Sequence, residues 1–378
     1  MKAKIILISL LFITKLSTGQ SRIENFDSLF VHLKNQNDFN GNVLIADQGK
    51  IIYKKSFGYS DFANKKQLNE NTMFNIASLS KQFTAMAILM LKEDNKLQLT
   101  DNLTKYFPQL PYHDITIQNL LTHTSGLPDY MELFDKQWDK SKIATNKDIV
   151  TLLSKYQPLA IFKANEQYEY SNTGYALLGL IIEKVSHVSY AKYLKRKIFD
   201  PLKMTRTEVY FKTESNKKLS NLAVGNVLNK NLNAPVLPDS LDEWNFVFYL
   251  DQIIGDGSIA STTVDLFKWD RALYSNKLVK KATLDEAYTP QSLNDGTLSH
   301  YGFGWELAPN NFSTGMSVYH IGHWPGYGAY IKRFIEKDKT IIVLRNLINY
   351  SKRANGIPDV YTNILFNQPF ELPKIGRP

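Results

Sequence analysis

The sequence predicts an α+β protein in which an antiparallel sheet, flanked by helices, carries an inserted and mainly helical lobe. Residues 42–46 and 51–57 are typical of two strands around a turn that contains Gly49, and strand-like runs return only late in the chain, at 327–335 and 340–344. The segment from about 100 to 290 has mostly helical periodicity. Because strands from both ends would share one sheet, the middle would form a second lobe with a cleft beside it.

Length and composition favour a compact protein with two packed lobes. The chain has 378 residues, of which 43% are apolar and 21% charged, so it is neither disordered nor a multi-span membrane protein. We expect residues 20–77 and 295–378 to form the α/β sheet lobe and residues 78–294 the helical lobe. Helices are predicted at 23–35, at 80–95, where the segment is apolar nearly all round, and at 358–366.

The N-terminus has the pattern of a secretory signal peptide that covers residues 1–19. Lys2 and Lys4 precede an apolar run too short to span a membrane, and the small residues Ser17 and Gly19 stand where a signal peptidase prefers them. An uncleaved anchor is the alternative. We therefore expect an exported protein, periplasmic or secreted, with no integral membrane segment once the leader is removed.

Charge and residue types exclude several function classes. The net charge of +9 is spread as isolated pairs such as Lys54-Lys55, which gives no basis for a nucleic acid partner. The absence of cysteine excludes disulfides and thiol catalysis. No His-Glu-x-x-His pattern occurs among the seven histidines, so neither a metal nor another cofactor is expected. Covalent chemistry would then use an oxygen or nitrogen nucleophile.

Ser78 and Lys81 have the spacing at which a lysine one helical turn further along can take the serine proton. The same spacing recurs at Ser189–Lys192 and Ser215–Lys218, but only Ser78 precedes a buried apolar helix, whose N-terminal N–H groups favour an oxyanion. Desolvation would favour the neutral, basic form of Lys81. The alternative is a helix cap beside an exposed lysine.

Two further short patterns contain side chains or backbone groups that could take part in catalysis. Tyr170 and Asn172 place a phenol and an amide two residues apart, after a polar loop and before a helix, so both can point to one cleft. His320 and Gly322 end a predicted strand. Glycine lets a ligand approach the backbone, and such a strand edge can donate an N–H to an oxyanion. A lone histidine is nevertheless more often structural.

Taken in order, Ser78-x-x-Lys81, Tyr170-x-Asn172 and His320-x-Gly322 resemble the three signature elements of the serine β-lactamase and penicillin-binding protein superfamily. More narrowly, the chain resembles class C β-lactamase-like serine hydrolases, a group that includes D-alanyl-D-alanine carboxypeptidases, D-aminopeptidases and carboxylesterases. The likeness is carried by Phe39–Asn42, Phe74–Lys81, Leu120–Pro128, Tyr170–Tyr175, Gly257–Leu266 and His320–Tyr327. It implies the β-lactamase-like (DD-peptidase) fold, with the active site between the lobes.

The resemblance also implies catalytic roles. Ser78 would be acylated, Lys81 and Tyr170 would share the general-base and general-acid work, and water would release the acyl group. Asn172 would orient Lys81 and the substrate amide. His320 would be the side chain that the third element contributes.

Further residues would bind the substrate. By the same resemblance, the backbone N–H groups of Ser78 and His323 would form the oxyanion hole. The segment His123–Gly126 would be a structural loop beside the site rather than a second triad. Substrate contacts are expected from Tyr130, Ile321 and Gly322.

The predicted function is a serine hydrolase, a peptidase or esterase that acts through an acyl-enzyme on a D-amino-acid-containing peptide or a small ester. Class C β-lactamases typically carry Lys-Thr-Gly at the third element. Here Ile321 has no hydroxyl, and His320 is at most partly charged near neutral pH. A β-lactamase proper is therefore an alternative, as is a protein or sensor that binds a β-lactam or cell-wall peptide without turnover. The expected partner is a small-molecule or peptide substrate.

Overall fold

The computed structural model describes residues 21–214, 219–229, 231–350 and 357–374. The predicted signal peptide and the pattern Ser215–Lys218 lie outside these residues. Within these ranges, none of the helices has both the length and the apolar character needed to cross a membrane.

The main sheet combines both ends of the chain. It is antiparallel with strand order β10-β11-β12-β13-β1-β2, and Val43 on β1 lies opposite Val343 on β13. This confirms the predicted α+β class. In chain order the described strands are β1 (Gly41–Asp47), β2 (Lys50–Phe57), β3 (Tyr59–Asp61), β4 (Lys66–Gln67), β5 (Phe74–Asn75), β6 (Glu208–Val209), β7 (Asn226–Asn229), β8 (Ala234–Val236), β9 (Ile259–Ser261), β10 (Glu306–Asn311), β11 (Gly315–Trp324), β12 (Tyr327–Phe334), β13 (Lys339–Arg345) and β14 (Leu347–Ile348).

Helices cover both faces of this sheet and fill the middle of the chain. The predicted first, central and last helices are all present. In chain order the described helices are α1 (21–35), α2 (Ser80–Glu93), α3 (Leu103–Tyr106), α4 (Ile117–Leu121), α5 (Tyr130–Gln137), α6 (Asn146–Tyr156), α7 (Asn172–Ser186), α8 (Tyr190–Leu194), α9 (Phe246–Tyr249), α10 (Thr263–Ala272), α11 (Lys281–Ala287) and α12 (Ile357–Leu365).

Strand β1 is buried on both faces because its alternate side chains enter two different cores. Val43 and Ile45 pack with α1 and α12 in a core that includes Phe30. Leu44 and Ala46 face the larger core, which contains α2 and α7. The sheet is thus the middle layer between the terminal helices and the helices of the central segment.

Helix α2 begins two residues after Ser78, the residue expected to be the nucleophile. Its side chains from Ser80 to Leu89 are all buried, as its apolar sequence predicts. Ser78 lies in a 3₁₀ turn, Ala77–Leu79, and its side chain caps neither that turn nor α2. The capping alternative is therefore excluded for Ser78, whereas Ser189, which has the same spacing to a lysine, caps α8.

The structure departs from the sequence-based expectations in three places. The central segment contains short strands, β6 to β9, that pair with β5 and β14. Strands of two to four residues are too short to establish an alternating pattern, and distant partners stabilise them. Asn172 is the first residue of α7 rather than part of the loop before it. His320 lies within β11, which continues to Trp324.

Gly322 sets the distance between β11 and the turn that carries Ser78. A Cβ atom at this position would lie 2.2 Å from the carbonyl oxygen of Ile76. That oxygen belongs to the backbone, so rotation of a side chain cannot relieve the clash. The glycine in the third element is thus required for packing of the strand against the turn.

Replacing Gly322 by alanine should push β11 away from this turn. We expect Gly322→Ala to lower the free energy of unfolding by about 1–3 kcal/mol, the usual cost of overpacking, as measured by urea denaturation. The matched control is Gly257→Ala, whose new Cβ meets nothing within 4 Å. Equal denaturation midpoints for Gly322→Ala and the wild type would contradict the close approach.

Candidate active site

A buried amine is the centre of the site. Lys81 is fully buried, and its Nζ lies 3.1 Å from Ser78 Oγ, 2.9 Å from Asn172 Oδ1 and 2.9 Å from the backbone oxygen of Asp256. The structure therefore brings three of the predicted site residues together, from the turn before α2, from α2 and from the start of α7. Asp256 joins them from a loop that the sequence analysis did not assign to the site.

The three contacts decide which way the lone pair of a neutral Lys81 points. An amide oxygen and a peptide oxygen can only accept hydrogen bonds, so Asn172 and Asp256 each take one N–H of the amine. A neutral amine has two N–H groups and one lone pair. The lone pair is therefore directed to Ser78 Oγ, whose hydroxyl can donate to it.

Burial favours this neutral form. Desolvation lowers the pKa of Lys81 from 10.5 to about 8, although the charges of Asp256 and Asp129 oppose the shift. With a pKa of about 8, roughly one amine in ten is neutral at pH 7. For an ordinary lysine the fraction is roughly one in three thousand. The site therefore keeps a usable base close to neutral pH.

Tyr170 lies next to the serine and the amine. Its hydroxyl forms a hydrogen bond with Ser78, and its ring centroid lies 4.8 Å from Lys81 Nζ. The residue is 38% exposed at the cleft. Desolvation nevertheless raises the pKa of the Tyr170 hydroxyl well above 10, and the hydrogen bond with Ser78 only partly opposes this. Tyr170 is thus a protonated phenol at neutral pH.

His123 supports the Tyr170 segment from behind. Its ring centroid lies 4.3 Å from that of Tyr170, and its Nδ1 accepts the backbone N–H of Ser171 at 3.0 Å. Because Nδ1 accepts, the ring proton is on Nε2. The ring is fully buried, and desolvation holds its pKa well below the usual range. This arrangement fits the structural loop expected for His123–Gly126.

His320 is buried and both of its ring nitrogens are occupied. Nδ1 lies 2.8 Å from the carbonyl oxygen of Ile321 and must donate to it, so Nε2 accepts from the hydroxyl of Tyr301, also at 2.8 Å. Desolvation, together with the charge of Lys81, lowers the pKa of His320 to about 3. The third element therefore supplies a neutral imidazole and no positive charge.

One edge of β11 faces the serine. Strand β10 pairs with β11 only as far as Tyr319, whereas β12 pairs with it out to Trp324. The segment 320–324 therefore has an edge without a β10 partner, and it packs against the turn Ala77–Leu79. The backbone N–H of His323, predicted for the oxyanion hole, belongs to this segment. Such an edge can offer an N–H group to a developing oxyanion.

A cavity of about 220 Å³ lies beside Ser78. Tyr130 and His323 are part of its wall, together with the aromatic side chains of Trp244 and Phe246. Ile321, which is 50% exposed, does not line this cavity, and neither does Gly322.

Tyr130 and Asp256 form a buried pair next to the amine. The Tyr130 hydroxyl donates to Asp256 Oδ2 at 2.9 Å, while the backbone of Asp256 accepts from Lys81. Desolvation raises the pKa of the Asp256 carboxyl, and the Lys81 charge opposes this. The sequence did contain one sign that the backbone is closely packed here, since Asp256 lies between two glycines, Gly255 and Gly257. A Cβ atom at Gly255 would lie 2.2 Å from the backbone oxygen of Tyr175, so the loop follows α7 closely.

Comparisons with known proteins agree with this geometry. A family model described as "Beta-lactamase" matches residues 26–358. Penicillin-binding protein 4* of Bacillus subtilis (strain 168) is 43% identical over 355 residues, which cover 94% of this chain and 78% of that protein.

Solved structures of penicillin-binding protein homologues and related hydrolases are also similar to this chain. The octameric penicillin-binding protein homologue from Pyrococcus abyssi matches with a TM-score of 0.73 at 29% identity, over 90% of this chain and 77% of that one. The D-amino acid amidase from Ochrobactrum anthropi SV3, complexed with D-phenylalanine, has a TM-score of 0.73 at 25% identity, over 93% of this chain and 99% of that one. The predicted β-lactamase-like fold is confirmed.

The lowered pKa of Lys81 predicts a pH-dependent cost in stability. Below pH 8 the folded state must hold the ammonium in a desolvated position. Between pH 8 and 10.5 the unfolded chain binds the extra proton, so the wild type gains stability as pH rises. We expect Lys81→Met to raise the free energy of unfolding by up to about 3 kcal/mol at pH 7 and by less at pH 10, as measured by urea denaturation. An advantage that grows with pH would contradict the lowered pKa.

Proposed function

The chain belongs to the beta-lactamase family, and from that premise we propose that it hydrolyses an ester or amide through an acyl-enzyme on Ser78. The protein is a serine hydrolase of this family and of the penicillin-binding proteins, with a small-molecule or peptide substrate. The observation that carries the proposal is the buried Lys81 amine, which lies 3.1 Å from Ser78 Oγ and donates to Asn172 Oδ1 and the Asp256 carbonyl.

In the acylation step Lys81 is the base. Its neutral amine takes the hydroxyl proton of Ser78 while Oγ forms a bond to the substrate carbonyl carbon. The carbonyl oxygen becomes an oxyanion, which the backbone N–H groups of Ser78 and His323 would stabilise. Asn172 and the Asp256 carbonyl hold the amine in this orientation throughout, because both accept its N–H groups.

Tyr170 is the acid. Because its pKa is raised well above 10, the phenol keeps its proton at neutral pH and can give it to the leaving oxygen or nitrogen as the bond to carbon breaks. The Lys81 ammonium then returns a proton to the phenolate, which restores the neutral amine. In deacylation a water molecule gives one proton to Lys81 and attacks the acyl carbon. The proton passes back to Ser78 Oγ as the free acid leaves.

The substrate is proposed to be a D-amino-acid-containing peptide or a small ester. Two observations support this against a β-lactam. The neutral His320 and the apolar Ile321 offer neither the charge nor the hydroxyl that would hold a β-lactam carboxylate. The cavity beside Ser78 is lined by Trp244 and Phe246, which suit an apolar side chain. The similarity to an amidase for D-amino acids points to the same class.

The proposal predicts that Ser78 alone is labelled by a fluorophosphonate probe. Ser78→Ala should lose both labelling and the hydrolysis of p-nitrophenyl butyrate, because no other described serine hydroxyl contacts the Lys81 amine. Labelling is read by mass spectrometry and hydrolysis by absorbance. The matched control is Ser189→Ala, which removes a serine with the same spacing to a lysine but only a helix cap.

The same measurement separates turnover from simple acylation. Steady release of p-nitrophenol by the wild type is expected from a hydrolase. A single burst equal to the amount of enzyme, with no further release, would favour the binding protein or sensor instead. Continued turnover in Ser78→Ala would overturn the assignment of the nucleophile.

We also propose that the protein is exported and that its site lies between two lobes. We expect cleavage after Gly19, a periplasmic or secreted product, and a site between the lobes formed by residues 20–77 with 295–378 and by residues 78–294. Intact-mass measurement of the protein from the non-cytoplasmic fraction should give a chain that begins at Gln20. Recovery of only the full-length chain, in the membrane fraction, would favour an uncleaved anchor.

A further inference from the structure

A second cavity adjoins the one beside Ser78. It has a volume of about 440 Å³, and it shares four lining residues with the first cavity, namely Asn75, Asp251, Trp324 and Pro325. The two cavities therefore meet at these four residues, their common wall.

Asp251 is the charged residue on the common wall. Its Oδ2 accepts both the backbone N–H and the hydroxyl of Thr213, each at 2.7 Å. These two hydrogen bonds fix the orientation of the carboxylate. Among the described residues no lysine or arginine forms an ion pair with Asp251, and Lys212, on the wall of the second cavity, pairs with Asp239. Among the described residues, the carboxylate of Asp251 is therefore held by Thr213 rather than by a cation.

Acidic residues outnumber basic ones on the described walls of the two cavities, although the Lys81 ammonium next to Asp256 offsets part of their charge. The described walls contain four acidic residues, Glu214, Asp239, Asp251 and Asp256, and one lysine, Lys212. Walls with one predominant sign of charge raise the local concentration of ligands with the opposite sign. A substrate that carries a positive charge is therefore favoured over one that carries a free carboxylate.

His320, in the third element, also favours a substrate without a free carboxylate. Both ring nitrogens of His320 are occupied by Tyr301 and by the Ile321 carbonyl, so the imidazole presents no cation to a ligand. The apolar part of a ligand would instead contact Trp244 and Phe246, and Asp251 is part of the wall of the same cavity. The site is thus suited to an apolar acyl group with an ammonium group.

We propose that Asp251 binds a protonated amine on the acyl part of the substrate, so that the enzyme acts on amino-acyl esters or amides with a free ammonium group. This inference rests on the proposed function, since it requires acylation of Ser78. The carboxylate of Asp251 and the amine would form a charge-assisted hydrogen bond at the edge of the cavity. Thr213 is the positioning residue, because its two bonds orient the carboxylate.

The test compares two substrates that differ only in the amine. D-Phenylalanine p-nitroanilide carries it, and 3-phenylpropanoyl p-nitroanilide lacks it. At pH 7 we expect kcat/KM of the wild type to be at least about tenfold higher for the first, the factor typical of one charged contact. Asp251→Asn should reduce this ratio roughly tenfold, mainly through KM, while the asparagine oxygen can still accept from Thr213. Thr213→Val should reduce the ratio by less.

The control variant is Asp285→Asn, which removes an exposed carboxylate paired with Lys281 on a helix outside both cavities and should leave the ratio unchanged. Equal ratios in Asp251→Asn and the wild type, or preference of the wild type for the substrate without the amine, would overturn the inference. Fluorophosphonate labelling of Ser78 distinguishes the two failures. Labelled enzyme with an unchanged ratio contradicts only the role of Asp251, whereas unlabelled enzyme that cleaves neither substrate contradicts the proposed function as well.

Discussion

The site depends on one constraint: the amine of Lys81 is buried, and it has three hydrogen-bond partners. Removing an amine from water disfavours its charged form, and the lowered pKa of Lys81 records that cost. The fold keeps the amine in place because Asn172 and the Asp256 carbonyl accept its N–H groups. These acceptors lie far apart in the chain, at the start of α7 and in the loop before β9. The folded core, rather than local sequence, therefore creates the base that Ser78 requires.

The position of Ser78 follows from packing against the sheet. Ala77 has a φ of +47°, in the left-handed region that costs energy for a residue with a Cβ, and its backbone N–H is held by Asn75 Oδ1 at 2.8 Å. On the other side, Gly322 allows β11 to lie directly against the Ile76 carbonyl. A strained turn supported from both sides holds the serine hydroxyl over the cleft. The third element thus has a structural role that is independent of any contact with substrate.

The sequence carried enough information for the fold class and the main helices, and it singled out Ser78 and Asn172, which both contact Lys81 in the structure. The sequence identified α2 because its apolar residues surround the whole helix, and the presence of that helix after Ser78 separated Ser78 from Ser189. The role of Asp256 was not predictable in this way, since its contact with Lys81 spans 175 residues and uses a backbone oxygen that has no side-chain signature. The short strands β6 to β9 were missed for the same reason, because they depend on partners distant in sequence. A feature could thus be predicted where a side chain or a hydrophobic periodicity specifies it. It could not be predicted where contacts between distant segments specify it.

The imidazoles of His123 and His320 are both neutral, and this explains how a histidine in the third element is compatible with a basic Lys81. Desolvation lowers the pKa values of both His123 and His320, and the nearby charge of Lys81 lowers them further. As pH falls, Lys81 therefore takes its proton first, near pH 8, while His320 stays neutral down to about pH 3. A permanent cation in place of His320 would repel the Lys81 ammonium and lower the pKa of Lys81 further. By remaining neutral, His320 leaves Lys81 as the base that titrates near neutral pH beside Ser78.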